Sequence, residues 1–109
     1  MSDTPDAVFE QVADTLSGGR TGVDRGKMMS APGIRYDGKV FAFLWRDAMV
    51  FRLGRQYDPA ADGLAGIENL NPFKNKPPMK DWFVIPADHQ VRWPDLADAA
   101  LAHMVKERG

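Results

Sequence analysis

The sequence predicts a two-layer α+β domain with a mainly antiparallel sheet and helices packed on one face. Two observations support this class: strand-like segments follow one another in the first half of the chain without a helix between them, and amphipathic helices stand at both ends. A length of 109 residues is typical of one domain, so residues 1–109 are expected to fold as a unit. The predicted order is helix, three strands, short helix, one or two strands, helix.

The first helix has a clear beginning and end. Thr4 can cap it, Pro5 suits its first position, and Asp6 complements its dipole. Gly18 and Gly19 are expected to end it. Residues 18–27 are then predicted to be a connection, because their glycines fit neither common phosphate-binding spacing. The helix has one apolar stripe: Phe9, Val12, Ala13 and Leu16.

Residues 27–54 predict three antiparallel strands. Asp37 and Gly38 form the typical two-residue signal of a hairpin. Residues 39–45 are rich in the β-branched and aromatic side chains of a central strand. Residues 49–53 follow as a third strand, with the second turn at residues 46–47 or 47–48.

The second half of the chain predicts shorter elements. Asp58 and Pro59 indicate a short helix to about Ala65, and residues 68–79 indicate a loop with a short strand at its start. An apolar strand follows at residues 82–85, where Trp82 is expected to contribute more to stability than Trp93. The closing helix has a stripe of apolar residues: Trp93, Leu96, Ala97, Ala100, Leu101 and Met104.

The strand register predicts an aromatic sheet face that no helix covers. Two-residue turns place Ile34 opposite Phe41 and Phe43 opposite Val50. One face then carries small residues that let helices approach: Met29, Ala31, Gly33, Val40, Ala42, Leu44, Met49, Phe51 and Leu53. The other face is predicted to be an interaction face: Ile34, Phe41, Phe43, Trp45, Val50 and Arg52. A three-residue second turn would instead move Met49, Phe51 and Leu53 to the aromatic side.

Composition excludes several classes of protein. A net charge of −1 argues against a dedicated nucleic-acid coat, and the absence of cysteine removes disulfides and thiolate sites. The acidic N-terminus differs from a signal peptide, and no apolar run could span a membrane. A cytoplasmic location without membrane contact is therefore expected.

The charge is unevenly distributed along the chain. Residues 20–55 contain eight basic and three acidic residues, whereas residues 1–19 contain four acidic residues and no basic one. The basic strands could form a nucleic-acid surface, but we favour the alternative that these cations pair with the acidic first helix or are simply solvated. Residues 39–46 partly match an RNA-binding pattern, but Val40 replaces its glycine and Arg46 its last aromatic residue. Packing or a protein interface is the preferred interpretation.

The sequence shows no constellation that would support catalysis, a cofactor or a metal ion. His89 and His103 have only Asp88 and Glu107 as acidic neighbours at a useful spacing. No serine stands in a nucleophile-elbow context, and the acidic residues early in the last helix suit its dipole. We therefore expect no enzyme activity, no catalytic residue, no cofactor and no metal ligand.

Several blocks resemble the N-terminal domain family of the TfoX/Sxy competence regulators of bacteria, over residues 5–106. The blocks are Gly26-Lys27-Met28-Met29, Pro32-Gly33, Tyr36, Asp37-Gly38-Lys39, Phe41-Ala42, Pro78-Met79-Lys80-Asp81-Trp82, Val84 and Pro86. Met29-Ser30 departs from the Phe-Gly usual in that family, and residues 67–78 are idiosyncratic. The resemblance implies a two-layer α+β fold and supplies no catalytic residue.

The resemblance also sets the functional expectation. The regulators carry a second, helical domain, and this chain is expected to be a stand-alone domain without it. We expect an interaction module that contacts a protein partner or forms a homo-oligomer, in a transcription-regulatory setting. The alternatives are nucleic-acid binding through the basic strand region and small-molecule binding in a pocket between sheet and helices.

Overall fold

The computed structural model describes residues 4–28, 31–64, 66–71 and 79–108, and these residues form an α+β fold. Two short 3₁₀ turns, Ala60–Asp62 and Ala87–Arg92, connect the main elements. The main elements in chain order are α1 (Pro5–Gly19), β1 (Val23–Met28), β2 (Ala31–Tyr36), β3 (Lys39–Trp45), β4 (Ala48–Arg52), β5 (Glu68–Leu70), β6 (Met79–Pro86) and α2 (Trp93–Arg108).

The described strands form one antiparallel sheet in the order β1-β2-β3-β4-β6-β5. Helices α1 and α2 contact each other and pack on the same face of this sheet. The main core therefore lies between the helices and the sheet, as a two-layer fold requires. None of the described helices combines the length and the apolar character needed to cross a membrane.

Helix α1 confirms its predicted cap, and both helices confirm their predicted apolar stripes. Thr4 Oγ1 accepts a hydrogen bond from the Ala7 N–H at 3.1 Å, so the first turn has the expected side-chain cap. Helix α1 ends at Gly19, and the Arg20 N–H donates to the Leu16 carbonyl. Every residue of both predicted apolar stripes is buried.

Strand β1 is missing from the sequence prediction. Residues 18–27 were expected to be a connection, but residues 23–28 pair with β2. Val23 is buried, whereas Asp24 and Arg25 are exposed, which is typical of an edge strand protected by charges. The strand has too few apolar residues to show the alternation that predicts a buried one.

The two predicted turns are confirmed. Asp37 and Gly38 have φ values of 53° and 82°, the pair of positive angles that a two-residue hairpin turn needs. In the second turn Trp45 pairs with Ala48, so the turn residues are Arg46 and Asp47. The Arg46 φ is also positive, at 57°.

A β-bulge overturns part of the predicted register. Tyr36 pairs with Lys39 as expected and Arg35 pairs with Val40, but Ile34 pairs with Ala42 instead of Phe41. Phe41 is the extra residue in β3, and an extra residue reverses the alternation of side chains beyond it. As a result, Ile34 and Phe41 join the main core, which contradicts their predicted place on the aromatic face. Ala31 and Val40 lie on the face opposite the helices, and Met29 lies outside the described residues.

The second half confirms most of its predicted elements. Asp58 Oδ1 accepts from the Ala60 N–H at 3.1 Å, but the predicted short helix is reduced to the turn Ala60–Asp62. The short strand at the start of the predicted loop is β5, and residues 72–78 of that loop lie outside the described residues. Trp82 is buried at 8% exposure, as predicted, but Trp93 is more deeply buried at 0% exposure, so burial favours the opposite order of contributions to stability.

Candidate interaction face and charged cleft

The sheet face opposite the helices has an apolar cluster of its own, here called the second-face cluster. Among the described residues, neither helix contributes to it. Its centre consists of side chains from β3, β4, β5 and β6 that adjoin across the sheet. Its members are Met28, Ala31, Val40, Phe43, Trp45, Val50, Leu70, Met79, Trp82 and Val84.

Three aromatic rings define the geometry of this cluster. The Phe43 ring centroid lies 5.7 Å from that of Trp82 and 6.1 Å from that of Trp45. The Phe43–Trp45 contact is edge-to-face, an arrangement that aromatic pairs prefer. Phe43 and Val50 are 0% exposed, whereas Trp45 is half-buried. The centre of the cluster is therefore core, and Trp45 is its accessible aromatic residue at the β3–β4 turn.

The structure brings together three of the six residues of the predicted interaction face. Phe43, Trp45 and Val50 lie in the second-face cluster. Ile34 and Phe41 lie among the helix-facing core residues because of the bulge. Arg52 pairs with Trp82 at the C-terminal end of β4, and its guanidinium contacts Glu107 of α2.

A shallow groove of about 520 Å³ begins at Trp45, and we call it the Trp45 groove. Val84 and Pro86 supply apolar walls from β6. The Arg46 guanidinium carbon lies 5.8 Å from the Trp45 ring centroid, which is within cation–π range. Charged side chains at the rim and apolar side chains at the centre are typical of protein interfaces.

Most arginines of the basic strand region are already paired. Arg25 contacts Glu10 and Asp14 of α1, and hydrogen bonding to Glu10 raises the Arg25 pKa above its ordinary value. Arg35 donates two hydrogen bonds to Asp24, which lower the pKa of that carboxyl. The Arg25 contacts agree with the favoured pairing of these cations with the acidic first helix, whereas Arg35 pairs with an acid of β1. Among the described residues, Lys27, Lys39 and Arg46 have no ion pair.

A cluster of charged side chains stands where the last turn of α2 meets the ends of β4 and β6. Arg52 Nη1 and Nη2 donate to the two Glu107 oxygens at 2.8 and 3.3 Å, which is a bidentate pair. His103 Nε2 lies 2.5 Å from Glu107 Oε1. On the other side, Asp81 lies 3.9 Å from Arg52 and 3.4 Å from Arg55.

The Glu107 carboxylate separates two cavities beside this cluster. The first, of about 540 Å³, lies between the β2–β3 hairpin and α2, and we call it the first cleft. The second, of about 530 Å³, lies beyond Glu107, where Arg55 and His103 line it. The first cleft is lined by Tyr36, Asp37, Lys39, Val40, Arg52, Trp82, Met104 and Glu107.

Gly54 positions His103 in this cluster. The Leu53 and Gly54 N–H groups both donate to the Asp81 carbonyl, so the chain leaves β4 close to β6. Gly54 has a φ of 88°, and a Cβ there would lie 2.7 Å from His103 Cε1. The imidazole thus packs directly over the glycine backbone. A side chain at residue 54 would push His103 away from Glu107.

Sequence reasoning missed this cluster because its members are distant in the chain. The spacing of His103 and Glu107 is visible in the sequence, and it correctly indicates one helix face. The contribution of Arg52 and Asp81 depends on the pairing of β4 with β6, which no local signal shows. In the described part of the chain, no group of three His, Cys, Asp or Glu residues could hold a metal ion.

A second polar cluster fixes the segment after β4. The Tyr57 hydroxyl donates to Asp62 Oδ2 at 2.8 Å, and Arg92 pairs with the same carboxylate at 3.0 Å. Burial, followed by the bond to Asp62, raises the pKa of Tyr57, while the bond from Tyr57 lowers the pKa of Asp62. Because every member is bonded within the protein, this cluster has a structural role.

Comparison of the chain with models of protein families, with curated proteins and with solved structures found no match.

Proposed function

We propose that the chain is a cytoplasmic, non-enzymatic interaction domain of the TfoX N-terminal type that binds a protein partner or a second copy of itself. The Trp45 groove is the proposed contact site, and transcriptional regulation is the proposed setting. The observation that carries the proposal is that Trp45 is half-buried and stands beside the exposed Arg46, at the end of the second-face cluster. Among the described residues, no helix covers that cluster. Trp and Arg are among the residues that most often anchor protein interfaces.

The burial of the cluster decides which part of it can bind. Phe43 and Val50 are 0% exposed, so a partner could reach them only if the domain rearranged. Trp45 and Val84 are half-buried and line the groove, and Arg46 is exposed at its rim. A partner would therefore insert an apolar side chain against Trp45 and place an acidic group near Arg46.

The test is photo-crosslinking in the cells that produce the protein. The photoreactive residue p-benzoylphenylalanine replaces Trp45 in one variant and Val105 in the other. Val105 is an exposed apolar residue on α2, 46% accessible, and it does not line the groove. The proposal expects a discrete adduct from the residue 45 variant and none from the residue 105 variant. Equal adducts, or none from either variant, would contradict it.

Nucleic-acid binding is the alternative for the basic strand region. The ion pairs of Arg25 and Arg35 reduce the positive potential available there, which disfavours it. A salt titration with fluorescent DNA and RNA separates the two functions, because phosphate neutralisation makes log K fall linearly with log salt. Tight binding at low salt with a steep slope would favour the alternative over the proposed protein contact.

A further inference from the structure

The contacts of Glu107 are those of a carboxylate bound in a recognition site. Arg52 donates a hydrogen bond to each of its two oxygens, and His103 Nε2 contacts Oε1, the oxygen that Arg52 Nη1 also contacts. The Arg52 side chain is 25% exposed and the His103 side chain 29% exposed, so both groups are largely fixed by their surroundings. Arg52 Nη1 also lies 3.2 Å from Met104 Sδ. A planar guanidinium held in this way is suited to bidentate recognition of a carboxylate.

The first cleft gives this site room for an apolar group. Trp82, Val40 and Met104 form apolar walls beside the Arg52 guanidinium, and Tyr36 adds an aromatic wall. The exposed ammonium of Lys39 also lines the cleft and has no ion pair among the described residues. Asp37 also lines the cleft, and Asp81 lies outside its lining, 3.4 Å from Arg55 and 3.9 Å from Arg52.

We propose that the first cleft binds a small organic carboxylate with an apolar body, and that Glu107 is the internal competitor for its carboxylate position. The ligand carboxylate takes the place of the Glu107 carboxylate on Arg52, with Lys39 as a second cation. Its apolar body packs against Trp82 and Val40. Such a site combines one charged anchor with apolar walls, as small-molecule sites commonly do. Release of Glu107 also frees the last turn of α2 from the sheet.

The experiment is an NMR titration of the ¹⁵N-labelled full chain with phenylacetate. The indole N–H signals of Trp45, Trp82 and Trp93 report on three separate places. Trp82 lines the first cleft, Trp93 lies in the main core, and Trp45 lies at the opposite end of β4. The proposal expects saturable shifts of the Trp82 signal and constant Trp45 and Trp93 signals. Phenylacetamide, which lacks the charge, and inorganic phosphate, which lacks the apolar body, are expected to leave Trp82 unchanged.

Glu107→Gln tests the role of the internal competitor. Loss of one negative charge a few ångströms from the bound carboxylate is expected to tighten phenylacetate binding by about tenfold. Glu10→Gln is the matched control, because it also removes a carboxylate from an arginine pair, on α1. It is expected to leave the affinity unchanged.

Two further variants keep the proposal falsifiable if one of them folds poorly. Arg52→Lys retains the charge but loses the bidentate geometry, and it is expected to weaken binding by about tenfold or more. Lys39→Met alters an exposed side chain and is expected to weaken binding about threefold. The proposal would be overturned if the Trp82 signal shifted in neither the wild type nor Glu107→Gln. Equal shifts with phenylacetamide, or equal tightening by Glu10→Gln, would also overturn it.

Discussion

Trp93 is expected to be the most important tryptophan for stability. It begins α2 with 0% exposure, and its Nε1–H donates to the Ile85 carbonyl at 3.2 Å. Trp93→Ala would leave a cavity and remove this hydrogen bond, which together cost about 3–5 kcal/mol. This loss is comparable to the whole stability of a small domain, about 5–15 kcal/mol. The milder Trp93→Phe keeps most of the volume and is expected to cost about 2–3 kcal/mol.

The measurement is urea unfolding followed by far-UV circular dichroism, which does not depend on tryptophan fluorescence. Trp82→Phe is the matched control, because it makes the same change at the second-face cluster, where the side chain is 8% exposed. The midpoint is expected to fall further for Trp93→Phe than for Trp82→Phe, with the slope m unchanged. A larger loss for Trp82→Phe would refute the reasoning and make the second-face cluster the stronger core.

Three further predictions concern turns and pH. Gly38→Val is expected to lower the free energy of unfolding by about 1–3 kcal/mol. The cause is backbone strain alone, since φ is 82° and no neighbouring group lies within 4 Å of the added Cβ. A thermal melt equal to that of the wild type would contradict this. Gly54→Ala is expected to destabilise more than Gly38→Ala, because its Cβ also collides with His103, and urea midpoints would show the order. The lowered pKa of Asp62 stabilises the folded state above the unfolded-state pKa, and this contribution is lost as the pH falls below about 4. Asp62→Asn should therefore flatten the stability profile in that acidic range, and an unchanged profile would exclude this role.

Local signals were sufficient to predict the two hairpin turns and the helices α1 and α2. The Asp37-Gly38 turn depends on positive φ at adjacent residues, and this requirement is visible in the two residue types. The apolar stripes repeat with the helical period, over about two turns in α1 and about three in α2, so their buried faces are unambiguous. In these elements a residue and its neighbours within one turn determine the outcome.

The bulge shows where local reasoning ends. In a regular antiparallel ladder that starts at the Asp37-Gly38 turn, Ile34 would lie opposite Phe41. The extra residue in β3 lets Phe41 and Ala42 both reach the main core opposite Ile34. Burial of another aromatic ring favours this arrangement, and only the packing of helices against the sheet creates that benefit.

The charged cluster could not be predicted from local signals either, because strand pairing and helix packing bring its members together. Arg52 and Asp81 come into contact because β4 pairs with β6 across a long connection, and Glu107 joins them because α2 returns over that end of the sheet. From the residue types alone, the end of the last helix showed no constellation of this kind. The paired strands convert it into a site that holds a carboxylate.

The two candidate sites stand at opposite ends of β4, so they are expected to act independently. Ala48 lies beside the Trp45 groove and Arg52 beside the first cleft, about 14 Å apart at the rise of an antiparallel strand. Phe43 contacts both Trp45 and Trp82, so a packed path does join the sites. A packed path transmits binding energy only if it has two arrangements. Since β4 is paired with β3 and with β6 along its length, it is held in one arrangement. The effects of Trp45→Ala and Glu107→Gln on phenylacetate affinity should therefore add within about 0.5 kcal/mol, and a larger coupling would show that the second-face cluster switches as a unit.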